Sequence, residues 1–230
     1  MSQRAQLICG WGGILFCVLF GLGAIFISQF VPPISPASSA EAVAVRFAQD
    51  QFQIRAGMLL IILSSMLYVP LTAGLSAEIG KQEGQSRAIS QIQFGSGVCV
   101  AIFVLIPALI WAVASFRADR APELILLLND LGWIMLLLPF SPAFFQVLTI
   151  AYAVFVSDES NPALPRWFGY FSVWAAVLFL PGILITFFKT GPFAWDGIIG
   201  FWLPVGVFFT WILAAALMVR SGAANWPTDR

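Results

Sequence analysis

The sequence predicts an all-α polytopic membrane protein: a bundle of six kinked transmembrane helices with one short amphipathic helix outside the membrane. Three observations carry this. The chain is 60% hydrophobic and 10% charged over its 230 residues, whereas a soluble domain averages about 45–50% apolar and about 25% charged residues; mean hydropathy is +0.92. Six apolar stretches, at about 7–30, 52–79, 92–116, 122–156, 167–188 and 197–219, can each cross the roughly 30 Å of bilayer hydrocarbon. Lipid offers the backbone no hydrogen bonds, so each stretch has to be helical. Five of the six also hold an internal proline (Pro70, Pro107, Pro139 with Pro142, Pro181 and Pro204), which removes an amide donor and kinks a helix.

The first run starts near Leu7, is too long for a signal-peptide core, and is followed by Pro32 and Pro33 rather than a small-residue cleavage site. It reads as a retained span. Gly13, Cys17 and Gly21 recur at i, i+4 and i+8 along it, a small-residue stripe that lets another helix approach closely; a ligand groove lined by glycine is the alternative. The loop that follows, VPPISPASSAEAVAVRFAQDQFQ, begins extended at PPISP. It turns helical from Ser38 or Ser39, with a serine cap and Glu41 in the first turn. Val43, Phe47, Phe52 and Ile54 would lie along the membrane surface or continue upward from the second span, as a lid or a gate. The polar connections after the second and fourth spans read as a solvated loop and a capped turn, and RADRAP makes the third and fourth spans antiparallel neighbours. Residues 221–230 read as a flexible tail. An even number of spans puts both termini on one side. Basic residues divide six to five, so the positive-inside rule gives little direction, and cytoplasmic termini in a bacterial cytoplasmic membrane are the expectation.

The fourth stretch frames the search for chemistry. Its roughly 35 residues would run about 52 Å as one helix, so it must bend, tilt or leave one end outside the hydrocarbon. A PFSP break lies in its middle, and Asn129 and Asp130 lie near its start. If the chain bends at PFSP, Asp130 is buried; if the span is only 131–156, it sits at a helix start in the interface. The apolar run 124–128 favours burial. A buried carboxylate needs a partner, and Arg55, which begins the second span at the same end, is the expected one, although it can instead snorkel to the interface. Asn129 would hydrogen-bond beside the pair, and Trp133 would wall the pocket. Lys189 and Trp195, from the connection between the last two spans, belong to the same half of the bundle. Gln146, Ser64, Ser65 and Thr72 are explained by hydrogen bonds to backbone or across helices.

Other chemistries find no residues. There is no histidine, which removes imidazole-ligated haem, copper, zinc and iron sites, and three cysteines cannot form a tetrathiolate site. Cys9, Cys17 and Cys99 read as small buried hydrophobes. No nucleophile elbow, P-loop, zinc motif or catalytic carboxylate pair is present, so no metal, cofactor or catalytic residue is assigned. Zero net charge gives no reason to expect a nucleic-acid partner. Lys81 and Lys189 are not placed as a retinal Schiff base would require.

The segments PPISPASSAEAVAVRFAQ, IRAGMLL, LLNDLGW and FFKTGPFAWDG resemble those of uncharacterised bacterial multi-pass, six-helix integral membrane proteins of unknown function. The resemblance implies location and fold, and carries no catalytic residue. The first functional expectation is an integral membrane protein that binds or transfers a hydrophobic small molecule or lipid within the bilayer, through Arg55, Asn129, Asp130, Trp133, Lys189 and Trp195. The alternative is a non-catalytic accessory or scaffold subunit with a membrane-protein partner. A third, weaker one is a membrane-embedded enzyme using Asp130, Arg55 or Lys189.

Overall fold

The computed structural model describes residues 1–81, 87–117, 119–157 and 164–228. Their order is α1 (Gln3–Gly21) running into a π-helical turn (Leu22–Ile27), α2 (Ala40–Gln49), α3 (Gln51–Gly80), α4 (Arg87–Phe116), α5 (Pro122–Leu137), α6 (Ser141–Val156), α7 (Arg166–Phe179) running into 3-10 turns (Leu180–Thr186), then a π-helical turn (Ile198–Trp202) leading into α8 (Leu203–Gly222). No β-strand occurs among the described residues. Six helical segments are long and apolar enough to span a membrane: Gln3–Ile27, Gln51–Gly80, Arg87–Phe116, Pro122–Val156, Arg166–Thr186 and Ile198–Asn225. Their outer faces are apolar as well; Phe26, Leu63 and Trp174 are 71%, 62% and 64% exposed. Such a surface would aggregate in water and is at no disadvantage in hydrocarbon.

The spans alternate in direction, which defines two ends. At the terminal end the Gln3 amide donates to the Pro227 carbonyl at 2.9 Å. Buried Glu78 accepts there from Gln6 Nε2 at 2.5 Å, Trp226 Nε1 at 2.7 Å and Lys81 Nζ at 3.3 Å. Residues 221–227, expected as a flexible tail, are therefore docked: the chain stays helical to Asn225, and Trp226 closes onto Glu78 with Lys81 over its ring. The opposite, loop end gathers the end of α1, all of α2 and the starts of α3, α5 and α8.

The prolines act unequally. Pro70 and Pro107 sit within unbroken α-helix, whereas Pro139 falls in the three-residue gap between α5 and α6, Pro181 in the 3-10 turns and Pro204 just after the π-helical turn. Ser39 caps α2 by accepting from the Ala42 amide at 3.3 Å. Val43, Phe47 and Ile54 are buried while Phe52 is exposed, and α2 packs across α5. Arg46 ties α2 to the end of α1 by donating to the Ser28 and Gln29 carbonyls at 3.2 and 2.9 Å, so carbonyls left over at that helix end gain a cationic partner. The expected solvated connection after the second span and the capped turn after the fourth lie partly outside the described residues.

Two features hold the bundle. α1 and α3 meet along glycines: a Cβ on Gly57 would stand 2.5 Å from the Gly23 carbonyl oxygen, and one on Gly23 would stand 2.6 Å from that of Gly57. Only a residue without a side chain permits that approach. Deeper in, a chain of buried polar side chains crosses three helices. Tyr68 Oη donates to Gln146 Oε1 at 2.7 Å, Gln146 Nε2 donates to Thr72 Oγ1 at 3.1 Å, and Gln93 Nε2 donates to the same oxygen at 2.9 Å. Ser64 and Ser65 donate to the Ile61 and Ile62 carbonyls, each at 2.7 Å, as expected for lone hydroxyls in a span. Of the cysteines only Cys9 is buried; Cys17 is half-buried and Cys99 exposed. Cys99 thus departs from the expected interface role, because its face of α4 points outward.

Gly57→Val should lower stability by about 1–3 kcal/mol, the usual range for overpacking, read as a lower midpoint of thermal unfolding in detergent; Gly95→Val, where a Cβ would meet nothing within 4 Å, should leave the midpoint nearly unchanged.

Candidate functional site

An apolar cavity of about 490 Å³ lies in the loop-end half of the bundle. Three of its walls follow from local irregularities in spans. The break at 138–140 supplies Pro139 and Phe140, with Leu136, Leu137 and Ala143 on either side. The π-helical turns at the end of α1 and before α8 supply Ala24, Ile25, Phe201 and Trp202. Met58 and Ile61 of α3 and Val100, Phe103, Val104 and Trp111 of α4 form the remaining inner wall. Along α3 the cavity stops at Ile61, about two turns before Tyr68. Phe208, which lines the cavity, stacks on the Tyr68 ring at 6.2 Å, so the polar chain through Gln146 lies beyond the cavity floor.

The roof at the loop end is aromatic. Phe30 packs on Trp111 at 5.0 Å and on Trp133 at 6.1 Å; the two indoles are 4.9 Å apart, and Phe201 meets Trp133 at 5.8 Å. Phe47 of α2 packs on Phe30 from outside at 5.8 Å, so α2 covers this cluster. Gly132 makes the packing possible: a Cβ there would lie 2.4 Å from Cε2 and Nε1 of Trp111. The side of the cavity facing α1 and α8 is open in a different sense. Gly21 and Gly206 both line it, and a Cβ on either would meet nothing within 4 Å. The small-residue stripe of α1 accordingly divides. Gly13 packs against Leu71 and Ala216, whereas Cys17 and Gly21 line the cavity.

Of the six residues singled out from the sequence, Trp133 alone lines this cavity. Asn129 is buried one turn before it, and its Oδ1, like Asp130 Oδ1, has no hydrogen-bond partner among the described residues. The polar neighbour of the Asp130 carboxylate is Asn129, and the charge acting on it is Lys189, itself exposed. No ion pair joins Asp130 to Arg55: Arg55 Nε donates instead to the Gln51 carbonyl one turn back, at 3.2 Å. Trp195 is buried and donates to the Ile34 carbonyl at 2.9 Å, which ties the last connection to the first loop. The six residues therefore share the loop end but do not form one pocket. Sequence reasoning missed Trp111, Phe30, Phe201 and Gly206; the glycine stripe and the placing of Trp133 in a pocket wall were the signals that led toward the cavity.

No cluster of three or more cysteine, aspartate or glutamate side chains able to hold a metal occurs among the described residues. Comparison with protein-family models, with curated proteins and with solved structures finds no match to this chain, so the functional reading rests on its own residues.

Arg55→Gln should change stability by no more than about 0.5 kcal/mol, as for an ordinary surface position, while Gly132→Ala, which forces Trp111 aside, should cost about 1–3 kcal/mol; thermal unfolding in detergent compares the two.

Proposed function

We propose that this integral membrane protein binds, and by exchange with the bilayer transfers, a hydrophobic small molecule or lipid chain in the cavity between α1, α3, α4, α5 and α8. The observation that carries the reading is the lining itself: about 490 Å³ lined by apolar and aromatic side chains, with no charged residue among them. Small-molecule sites commonly fall at about 300–1,000 Å³ and are built mainly from such side chains. A void of this size in a core that otherwise packs closely is costly, and a resident apolar molecule removes that cost. Gly21 and Gly206 support entry from the side, since both line the cavity next to open space. Asn129, Asp130 and Lys189 stand at the loop end, beyond the aromatic roof, where they would meet the polar end of a molecule emerging there. The accessory-subunit reading drew on the small-residue stripe, and that stripe is occupied inside this chain by Leu71, Ala216 and the cavity.

The test is mass spectrometry of the gently purified protein beside its Gly21→Trp variant. Gly21 lines the cavity and a Cβ on it meets nothing within 4 Å, so the variant should keep the fold and take up cavity volume or its lateral opening. A defined apolar molecule carried stoichiometrically by the wild type and lost from the variant is the expected result. Bulk lipid alone in both samples overturns the reading, and a co-purifying protein with no small molecule favours the accessory-subunit alternative.

A further inference from the structure

Away from the cavity, at the terminal end, the seam between α1 and α8 holds a cation in a fixed place. Arg220 lies in the last turn of α8, and its guanidinium carbon stands 4.3 Å from the centre of the Trp11 ring on α1. Gly10 sets this contact. A Cβ there would collide with Cγ of Arg220 and stand 3.2 Å from its Cδ. Because Gly10 has no side chain, the arginine stem lies across α1 and brings the guanidinium over the neighbouring indole. A cation over an indole face is attracted to it, and a planar guanidinium also stacks there. Trp11 is 46% exposed, and Ile8 and Leu15 beside it on α1, like Leu217 on α8, are exposed apolar side chains. In a bilayer these faces meet lipid tails, and tryptophan concentrates where tails give way to headgroups.

The chain does not supply the counter-charge. The ion pairs among the described residues are Arg46–Asp50 and Lys81–Glu78. Glu78, the buried carboxylate of the same end, is already taken by Gln6, Trp226 and Lys81. Arg220 has no carboxylate within ion-pair distance among the described residues. Of its nitrogens only Nε is enclosed; the two terminal nitrogens are accessible and make no hydrogen bond to the described residues. The carbonyl end of α8 favours a cation nearby but carries no formal negative charge. An unpaired charge at the edge of hydrocarbon is costly. The partner that fits has anionic oxygens at headgroup depth, and a lipid phosphodiester has them: the guanidinium fork matches two phosphate oxygens at once. A zwitterionic lipid brings its own cation beside the phosphate and offsets the attraction, whereas an anionic phospholipid does not.

We propose that Arg220 and Trp11 form a binding site for the phosphate of an anionic phospholipid in the terminal-end leaflet, with the acyl chains along the outward side chains of Ile8, Leu15 and Leu217. The site is separate from the cavity and stands whether or not the cavity is a ligand site. Native mass spectrometry of the detergent-solubilised protein, given phosphatidylglycerol and phosphatidylcholine with identical acyl chains, tests it. The wild type should take up phosphatidylglycerol over phosphatidylcholine by about fivefold in occupancy, the ratio that one basic residue at a lipid surface gives. Arg220→Gln keeps the part of the stem that fills the space at Gly10 and loses the charge, so the ratio should fall to near one. Trp11→Leu keeps the charge without its platform and should lower the ratio in part. Arg87→Gln, at an exposed position of the same end, should leave it at the wild-type value. Inorganic phosphate in large excess should not displace the lipid. Equal uptake of the two lipids by the wild type, a ratio that survives in either Arg220→Gln or Trp11→Leu, or an equal loss in Arg87→Gln overturns the inference. Displacement by inorganic phosphate overturns the lipid as the source of the anion.

Discussion

A straight helix of 35 residues would run about 52 Å through a hydrocarbon layer of about 30 Å, and the segment from Pro122 to Val156 has to resolve that mismatch. Within it the helix is interrupted at 138–140, where Pro139 has no amide to donate. The two halves then find different neighbours: α5 packs on α4 and under α2, whereas α6 packs on α4 and α7. The break leaves Leu136, Leu137, Pro139, Phe140 and Ala143 around a space that a continuous helix would have packed against. Irregular turns at the end of α1 and before α8 face the same space, so three departures from α-helix converge on one cavity.

What keeps the cavity from collapsing is the order around it. On the terminal side the Tyr68–Gln146–Thr72–Gln93 chain locks α3, α4 and α6 together, and Glu78 gathers α1, α3 and the C-terminal segment. In a bilayer neither set can trade its partners for water. At the loop end the four aromatic rings wedge against one another, with Gly132 giving Trp111 room. The glycine contact between α1 and α3 sets how near these helices come, and α2 closes the roof through Phe47.

Much of the fold was legible because lipid forces it. Hydropathy and length marked every span to within several residues, and the serine cap with Glu41 marked α2. The candidate site was legible only in part. Trp133 was found by its spacing from Asp130, yet it matters for its ring beside Trp111, which lies on another helix; hydropathy cannot say which face of a uniformly apolar helix turns inward. The Arg55–Asp130 pair was inferred from the cost of burying charge, but Arg55 had a carbonyl one turn away, and a local partner is easier to reach than one across the bundle. Glu78 was not singled out from the sequence, because its donors, Gln6 and Trp226, are remote in the chain. Gly21 was visible as one of a stripe, and only the structure separates its role from that of Gly13.

The central claim is that the broken fourth span holds open a cavity that an apolar molecule fills. The most direct measurement is an experimental density map of the wild-type protein, purified in mild detergent, that resolves side chains around Trp111, Trp133, Gly21 and Gly206. Elongated density within the cavity, belonging to no residue of the chain, is the predicted result. A cavity closed by its own side chains, or filled by ordered water, would contradict the account.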